Sequence, residues 1–407
     1  MRVLFLHNNF PGQYRRIAEA LAREPQMELA AVTLASNPQP AGIRRIDFTP
    51  GGGPVTGIHG ATRTLEGAIR VGEAAYYQMK ALAAEGFRPD IVCAHSRWGS
   101  SFFIKDIWPE TKLLIYAEWF YAACGTDADY LPTNEPEDAR RIRIRMKNAP
   151  ILADLAQMDW GLTPTNWQRS TFPDLFRQRL TVLHDGIDTD LMCPDRAATV
   201  VAGGHVFRPG DPVVTFVVRG LEPYRGFPQF FEALGKAQRQ HGGFHALIVG
   251  EDRIFYGAPR DDGRSHKEFA IETTDFDPAR THFLGRVDYQ TFRRIIQVSA
   301  AHVYLTVPFV LSWSMLEAMS CGALVIGSDT EPVREAIRDG ANGILTDFFD
   351  TDALAGRIVD AVSAPERFLP IRKAARDTVL ERYAARYMLP AQRQLMVDVA
   401  NGVLPPR

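Results

Sequence analysis

No stretch of this sequence approaches the roughly 18 uninterrupted apolar residues of a membrane-spanning helix, so membrane contact is expected to be peripheral if it occurs. Cysteine is scarce. The four, Cys93, Cys124, Cys193 and Cys321, lie far apart and form neither a C-x-x-C pair nor a metal-ligand spacing. That excludes a disulfide framework and a zinc module and makes a reducing cytosol the expected compartment. An excess of charge of one sign is also missing: the formal net charge is -2, which gives no basic field to attract nucleic acid. There is no G-x-x-x-x-G-K-[ST] and no G-x-G-x-x-G after a strand, which argues against a P-loop ATPase or a dehydrogenase. No Asp-x-Asp cluster stands at a strand end, so neither a catalytic divalent metal nor another cofactor is expected. Repeats of fixed period and low-complexity tracts are lacking too. The start, MRVLFLHNNFPGQYRR, reads as strand, loop and helix and is too short and too polar for a signal peptide.

What is present is ordinary globular composition, 46% hydrophobic and 23% charged over 407 residues, a length that favours two domains of about 200 residues each. Short apolar or β-branched runs alternate with helical patterns in both halves, the signature of parallel sheets with crossover helices. The first half predicts strands at 2–8, 27–34, 90–96, 112–118 and 160–165. The second predicts them at 212–220, 244–251, 281–287, 301–307 and 323–329. QYRRIAEALAR, LEGAIRVGEAAYYQMKALAAEG, PQFFEALGKAQRQ and YQTFRRIIQVSA supply helices between them. Periodicity lapses across 181–211, where Gly, Pro and Asp accumulate, and this marks the junction. The expected domains are 1–190 and 205–385, with a terminal helix from 386 to 407 returning to the first. Two Rossmann-like, doubly wound α/β domains facing a cleft would bind ligands at the carboxyl ends of their strands.

One carboxylate stands out in FVLSWSMLEAMSCG, residues 309 to 322. The helix is expected to start near Trp313 and stop at Gly322, with Met315, Leu316 and Met319 against the sheet. Glu317 would share the other side with Trp313, Ser314, Ser320 and Cys321. Free N–H groups around Leu311 to Ser314 can receive an anion, and a carboxylate one turn further in suits ribose hydroxyls. The alternative reading of Glu317 is a partly buried, salt-bridged side chain.

In VVRGLEPYRGF, Arg219 leaves a strand end and Arg225 follows six residues later. Arginine forks match phosphate oxygens, so the pair suits a diphosphate. Two solvated arginines in a loop are the competing reading. Gly250 and Gly285 close strand ends at which a backbone can approach a planar ligand, although such glycines commonly just make turns.

Taken in order, these motifs resemble the family-4 retaining glycosyltransferases with the GT-B fold. That family has an Arg and a Lys six residues apart after the first strand of its nucleotide-binding domain, where this chain has Arg219 and Arg225. A strand-end glycine like Gly250, a G-R-V like Gly285, Arg286 and Val287, and a Glu-x(7)-Glu element running into A-M-A-C-G complete the pattern. L-E-A-M-S-C-G (316 to 322) matches the end of that element, and HDGID (184 to 188) resembles the interdomain N-G-V-D. The resemblance implies that Arg219 and Arg225 hold the donor diphosphate and Glu317 the ribose. The backbone of Gly285, Arg286 and Val287 would meet the base, Gly250 and Glu251 would also bind the donor, and Val310, Leu311, Ser312 and Trp313 would present amides to the sugar and phosphate. One position departs: counting back eight from Glu317 lands on Phe309, where the family has its first Glu.

The first half is less diagnostic. The family's glycine-rich loop after strand one is NNFPGQ here, with Gly12 its only glycine, and Glu118 stands about where the family has a sugar-contacting His. Glu118 would contact the sugar or orient an acceptor hydroxyl, or else serve as a structural ion-pair partner. His95, Arg97 and Trp98 end another strand and are assigned to the acceptor side. PGGGPVTGIHG (50 to 60) reads as a mobile loop. The dense basic run ARRIRIRMK (139 to 147) reads as a solvated helix face, or as a contact for anionic lipid at the inner membrane face.

The resemblance implies a metal-independent, retaining hexosyltransferase that moves a sugar from a UDP- or GDP-linked donor to a glycan, a lipid-linked saccharide or a small molecule, as in polysaccharide biosynthesis. A nucleotide-sugar epimerase or hydrolase on the same fold, and a non-catalytic nucleotide-sugar-binding protein, are the alternatives.

Overall fold

The computed structural model describes residues 1–36, 41–53 and 56–404. The glycine-rich stretch at 50–60 runs across residues 54 and 55, which lie outside the described residues. The chain divides into two compact units, one of Met1–Asp129, Thr133–Gly186 and Ala385–Arg407 and one of Tyr130–Pro132 and Ile187–Ala384.

The first unit is built on a 7-stranded sheet of order β3-β2-β1-β4-β5-β6-β7. Its strands are β1 (Arg2–Leu6), β2 (Glu28–Leu34), β3 (Arg44–Phe48), β4 (Ile91–His95), β5 (Lys112–Tyr116), β6 (Trp160–Thr163) and β7 (Leu180–Val182). All pairings are parallel. Covered by helices on both faces, the central strands are mostly apolar and buried, as β4 (IVCAH) is buried from end to end.

A hairpin, β8 (Val200–Ala202) and β9 (His205–Phe207), opens the second unit. Its 6-stranded sheet runs β12-β11-β10-β13-β14-β15. These strands are β10 (Val213–Gly220), β11 (His245–Glu251), β12 (Thr281–Gly285), β13 (Ala301–Tyr304), β14 (Leu324–Ser328) and β15 (Ile344–Thr346). In each sheet the winding direction reverses once, between β1 and β4 and between β10 and β13. Ligands of doubly wound sheets bind outside the carboxyl ends at such reversals.

The sequence reading is corrected at the edges. β3, β7 and β15 were absent from it, and all three are edge strands: β3 is partly solvated, and β7 and β15 have three residues each, too few to show a pattern. The junction is not structureless either. Gly203 (φ 56) and Gly204 (φ 80) turn the hairpin, a two-residue glycine turn suited to strand twist, and Val200, Ala202 and Phe207 pack onto Val213, Leu247 and Val249.

The core of the first unit gathers Val3, Phe5, Leu29, Cys93 and Leu114 with Leu395, Met396 and Val399 from the last helix, Ala385–Ala400. Each such buried side chain contributes about 1.5–3 kcal/mol. Arg393 grips Glu24 through two nitrogens at 2.7 Å, and Gln392 Nε2 donates to the His184 carbonyl, which fixes the helix in place. In the second unit Met315, Leu316 and Met319 are buried with Val325, Ala375 and Val379, so the apolar face expected of the Trp313 helix is the face that packs. Among the described residues no helix is long and apolar enough to cross a membrane.

Candidate functional site

In the second unit the site residues converge on the loops after β10 and β13, the two strands at the winding reversal. Glu222, between the two arginines, is buried, and its Oε2 accepts from the backbone N–H of Tyr256 at 2.9 Å and of Phe255. Burial pushes its carboxyl up, while those two amides and the charges of Arg225 and Arg219 oppose the rise. This carboxylate ties the loop after β10 to the loop after β11, and the sequence reading missed it.

Arg225 points into the loop after β13. Its Nη1 donates to Thr306 Oγ1 at 2.8 Å, to the Val310 carbonyl at 3.2 Å and to the Tyr304 hydroxyl at 3.4 Å. Nε and Nη2 make no hydrogen bond among the described residues, so one edge of the fork is anchored and the other is available. Arg219 behaves differently. It is exposed, and its guanidinium lies 3.9 Å from the centre of the Phe255 ring. The structure does not bring the two guanidinium groups onto one contact.

The helix Trp313–Ser320 starts from Ser312, whose Oγ accepts from the Ser314 N–H at 3.4 Å. One expectation is corrected here: the Ser312 amide is not open to an anion, because it donates to the Tyr304 hydroxyl at 2.8 Å. The amides of Val310 and Leu311 have no acceptor among the described residues. Glu317 is buried, and its Oε1 accepts from the Tyr289 hydroxyl at 2.8 Å. Tyr289 lies 28 positions away and had no signal in the sequence beyond opening a helix.

Phe309 is buried as well. Tyr224 and Tyr256 stack at 6.1 Å and 20°, and Phe309 meets both edge-on at 6.0 and 5.2 Å. An apolar ring here is matched by two further rings, with the Arg225 guanidinium about equally far from Tyr256 and Phe309. Gly285 ends β12 and Gly250 is the last residue but one of β11, whose final residue, Glu251, lies 3.8 Å from the largely exposed Arg286. Val287 is partly buried against the core.

In the first unit the loops after β1, β4 and β5 bring His7, Gln13, His95 and Glu118 together. Asn9 N–H donates to His7 Nδ1 at 2.9 Å, so the proton of neutral His7 sits on Nε2 and is donated to Gln13 Oε1 at 2.8 Å. Gln13 Nε2 then donates to Glu118 Oε1 at 2.6 Å. Burial, aided by the charge of His95, lowers the His7 pKa to about 3 and keeps it neutral. Gly12 (φ 42) makes this possible, since a Cβ there would sit 2.6 Å from the His7 ring. His95 donates from Nδ1 to the Ser96 carbonyl at 2.8 Å and turns Nε2 to within 3.6 Å of Glu118. Burial works to raise the Glu118 carboxyl, but His95 and Gln13 outweigh it and hold the pKa at about 2. Glu118 is therefore a permanent carboxylate near neutral pH, an acceptor of hydrogen bonds and no proton donor.

Arg97 and Trp98 follow His95. Arg97 has a left-handed backbone (φ 85), and its N–H donates to Asp154 Oδ2 at 2.7 Å. Asp154 is fully buried on the helix Ala149–Gln157 and also accepts from Ser101 Oγ at 2.6 Å. Sequence reasoning missed Asp154 as the post that holds this loop. Among the described residues no cluster of three or more His, Cys, Asp and Glu side chains is arranged as a metal site.

Comparison with known proteins places these features. Residues 25–192 match the model of the glycosyl transferase family 4 group, and residues 205–378 that of the glycosyl transferases group 1. The chain is 26% identical to alpha-maltose-1-phosphate synthase of Mycolicibacterium smegmatis over 53% of this chain and 55% of that one. It is 30% identical to D-inositol 3-phosphate glycosyltransferase of Nocardia farcinica over 45% of this chain and 41% of that one. The chain thus spans about half the length of the curated relatives it matches. Among solved structures, sucrose-phosphate synthase from Thermosynechococcus elongatus superposes with a TM-score of 0.73 at 17% identity, covering 99% of this chain and 100% of that one. Anabaena HepE in complex with UDP-glucose gives 0.67 at 15% identity, covering 99% and 100%. With both halves matched by models of one enzyme group, and with two doubly wound parallel sheets, the chain belongs to the group 1, family 4 glycosyltransferases and has the GT-B fold.

Proposed function

We propose that this chain is a retaining hexosyltransferase that takes its sugar from a nucleoside-diphosphate donor and passes it to a hydroxyl acceptor. The observation that carries the reading is the half-used fork of Arg225: Nη1 is pinned to Thr306, the Val310 carbonyl and Tyr304, while Nε and Nη2, like the amides of Val310 and Leu311 in the same loop, make no hydrogen bond among the described residues. Such a set suits a pyrophosphate, whose charge grows as the bond to the sugar breaks and is met by donors already in place. Glu317, steadied by Tyr289, accepts the hydrogen bonds of the ribose. Gly250, Glu251, Arg286 and Val287 border the base. Arg219 joins the diphosphate by swinging from Phe255.

Near the sugar, the invariantly charged Glu118 with His95 and Gly12 receives hydroxyls, and Arg97 and Trp98 belong to the acceptor side. Phe309 gives the sugar an apolar wall where relatives of this pattern offer a carboxylate. The acceptor oxygen bonds to the anomeric carbon on the face the diphosphate leaves, and its proton goes to the departing phosphate. The two arginines supply the positive charge, so no divalent cation is needed. HepE's complexes with UDP and UDP-glucose make uridine the base to try first, and cytoplasm is the compartment in which such donors occur.

The test is incubation of the full chain with UDP- and GDP-linked hexoses, with and without EDTA, and with candidate acceptors. A glycosylated product whose anomeric proton coupling matches the donor's, formed equally with EDTA, is expected. An inverted product refutes retention, and loss of turnover with EDTA refutes metal independence. Release of free sugar or of an epimer without acceptor favours the hydrolase or epimerase reading. Nucleotide binding without any turnover favours a binding protein, the reading that rests on the Phe309 departure.

A further inference from the structure

The basic run at 139–147 is a helix, Glu137–Lys147, and most of its charge is answered nearby. Arg141 pairs with Glu137, Arg143 with Glu135, and Arg140 donates to the Ala123 carbonyl. Arg145 is exposed to solvent, whereas Lys147 is half-buried with no ion pair among the described residues. Its ammonium sits 3.6 Å from the centre of the Tyr121 ring, and the Arg97 guanidinium approaches the same ring, and that of Trp98, at 5.4 Å. Both cations are half-buried, and neither has an ion-pair partner among the described residues. Half-buried, unpaired like charges sharing one ring are unfavourable on their own. Burial, then Arg97, then Arg143 lower the Lys147 pKa to about 8, with Asp127 alone opposing.

The arrangement is held, not accidental. Asn148, buried next to Lys147, clamps the backbone of Tyr121 by accepting from its N–H at 2.9 Å and donating to its carbonyl at 2.7 Å. Asp154 fixes the left-handed Arg97 in the same way, a conformation that persists only where its surroundings over-determine it. The Trp98 indole N–H is buried and has no acceptor among the described residues. His95 and Glu118 occupy the same pair of strand ends, β4 and β5.

We propose that Arg97 and Lys147 bind the phosphate of a phosphorylated polyol, and that this phosphomonoester is the acceptor of the glycosyl group. The inference rests on the transferase reading above and names its acceptor class. A phosphomonoester dianion answers two cations at once, a match a carboxylate monoanion does not make, and arginine's planar fork suits phosphate oxygens. The ester's free hydroxyl is the nucleophile: its oxygen bonds to the anomeric carbon as the bond from that carbon to the diphosphate breaks, and its proton leaves on the diphosphate.

The test uses the full chain and calorimetric titration with glucose 6-phosphate, myo-inositol 1-phosphate, glucose, myo-inositol and inorganic phosphate, with UDP titrated separately. Each ester is expected to bind about tenfold to a hundredfold more tightly than its neutral counterpart, the range of one charge-assisted hydrogen bond. Lys147→Met and Arg97→Gln should erase that ratio and Lys147→Arg should keep most of it, all with wild-type UDP affinity as proof of folding. In 15N-lysine spectra the ester should raise the titration midpoint of the Lys147 amine. Equal binding of esters and neutral polyols, or a ratio that survives Lys147→Met, overturns the inference. Inorganic phosphate binding as tightly as the esters overturns the acceptor assignment, since the site then serves a free anion. If these fail while UDP binds and a UDP-sugar is consumed, only this inference falls; absence of UDP binding sinks the donor reading instead.

Discussion

Replacing Arg225 with alanine separates what this side chain does for the fold from what it does for a ligand. In the fold, one nitrogen bridges Thr306, Val310 and Tyr304. Thr306 Oγ1 keeps a partner of its own by donating to the Val307 carbonyl at 3.0 Å, so the uncompensated loss falls chiefly on the Val310 carbonyl. Leaving one buried acceptor unmet costs about 1–3 kcal/mol, which for a unit of this size lowers Tm by about 2–12 °C. In the ligand, a charge-assisted bond to phosphate is worth about 1.5–3 kcal/mol, or about tenfold to 150-fold in Kd. Calorimetry with UDP, GDP, uridine and guanosine reads the second effect alone, because the nucleosides lack the diphosphate. UDP or GDP should weaken by at least tenfold and the nucleosides by less than about twofold. Arg225→Lys should recover part of the diphosphate affinity, as a point charge without the fork. Nucleoside and diphosphate weakening together would mean that the loop after β13 has merely shifted. Unchanged affinity for both would remove Arg225 from the site and refute the argument from its open edge.

Glu317→Gln should weaken UDP by about fivefold to tenfold while leaving 2′-deoxy-UDP nearly unaffected; equal effects on both nucleotides would take the ribose away from Glu317. Tyr289→Phe should give a smaller loss in the same sense, because it frees the carboxylate without removing it, and an unchanged UDP affinity would deny Tyr289 that part. Gly99→Ala places a Cβ 1.9 Å from the Ala68 carbonyl oxygen at φ 87, so thermal unfolding should show a loss of about 2 kcal/mol or more; a wild-type Tm would show that the loop relaxes freely. Asp154 has its pKa raised from 3.8 to about 7 by burial, with Ser101, the Arg97 amide and His95 opposing. The folded chain therefore holds this proton more tightly than the unfolded chain. The stability it gives is full below 3.8 and is lost as pH rises through about 7. Chemical denaturation of wild type and Asp154→Asn from about pH 5 to about pH 8 should show wild type losing ground to the variant by a few kcal/mol, and a flat difference would contradict the raised value.

The central strands were legible because burial on both faces leaves them no polar alternation: IVCAH and LVIGS announce themselves. RRIDF did not, since an edge strand needs to satisfy only one neighbour and can carry arginine toward water, and LTV and ILT are too short to show a period. The Gly203–Gly204 pair was a readable hairpin signal that was passed over within a stretch judged irregular. The strand-end reading located Arg219 in the last residues of β10, Arg225 just beyond it, His95 at the end of β4 and Glu118 two residues past β5. What those side chains touch was not legible, because their partners lie far along the chain: Thr306 is 81 positions from Arg225, and Gln13 is 105 from Glu118. No periodicity encodes which carbonyl will occupy an arginine's inner edge, or that the Tyr304 hydroxyl will take the Ser312 amide.

The helix Ala385–Ala400 completes the core around Val3 and Phe5, yet it is made only after the whole of 187–384. On the ribosome the earlier unit must wait, its apolar groove uncovered, until the later one has been synthesised and has had time to fold. Birth order and completion order are thus reversed. A chain stopped between Ala384 and Leu395 would release a finished second half attached to an unfinished first, the state on which chaperones and proteases act.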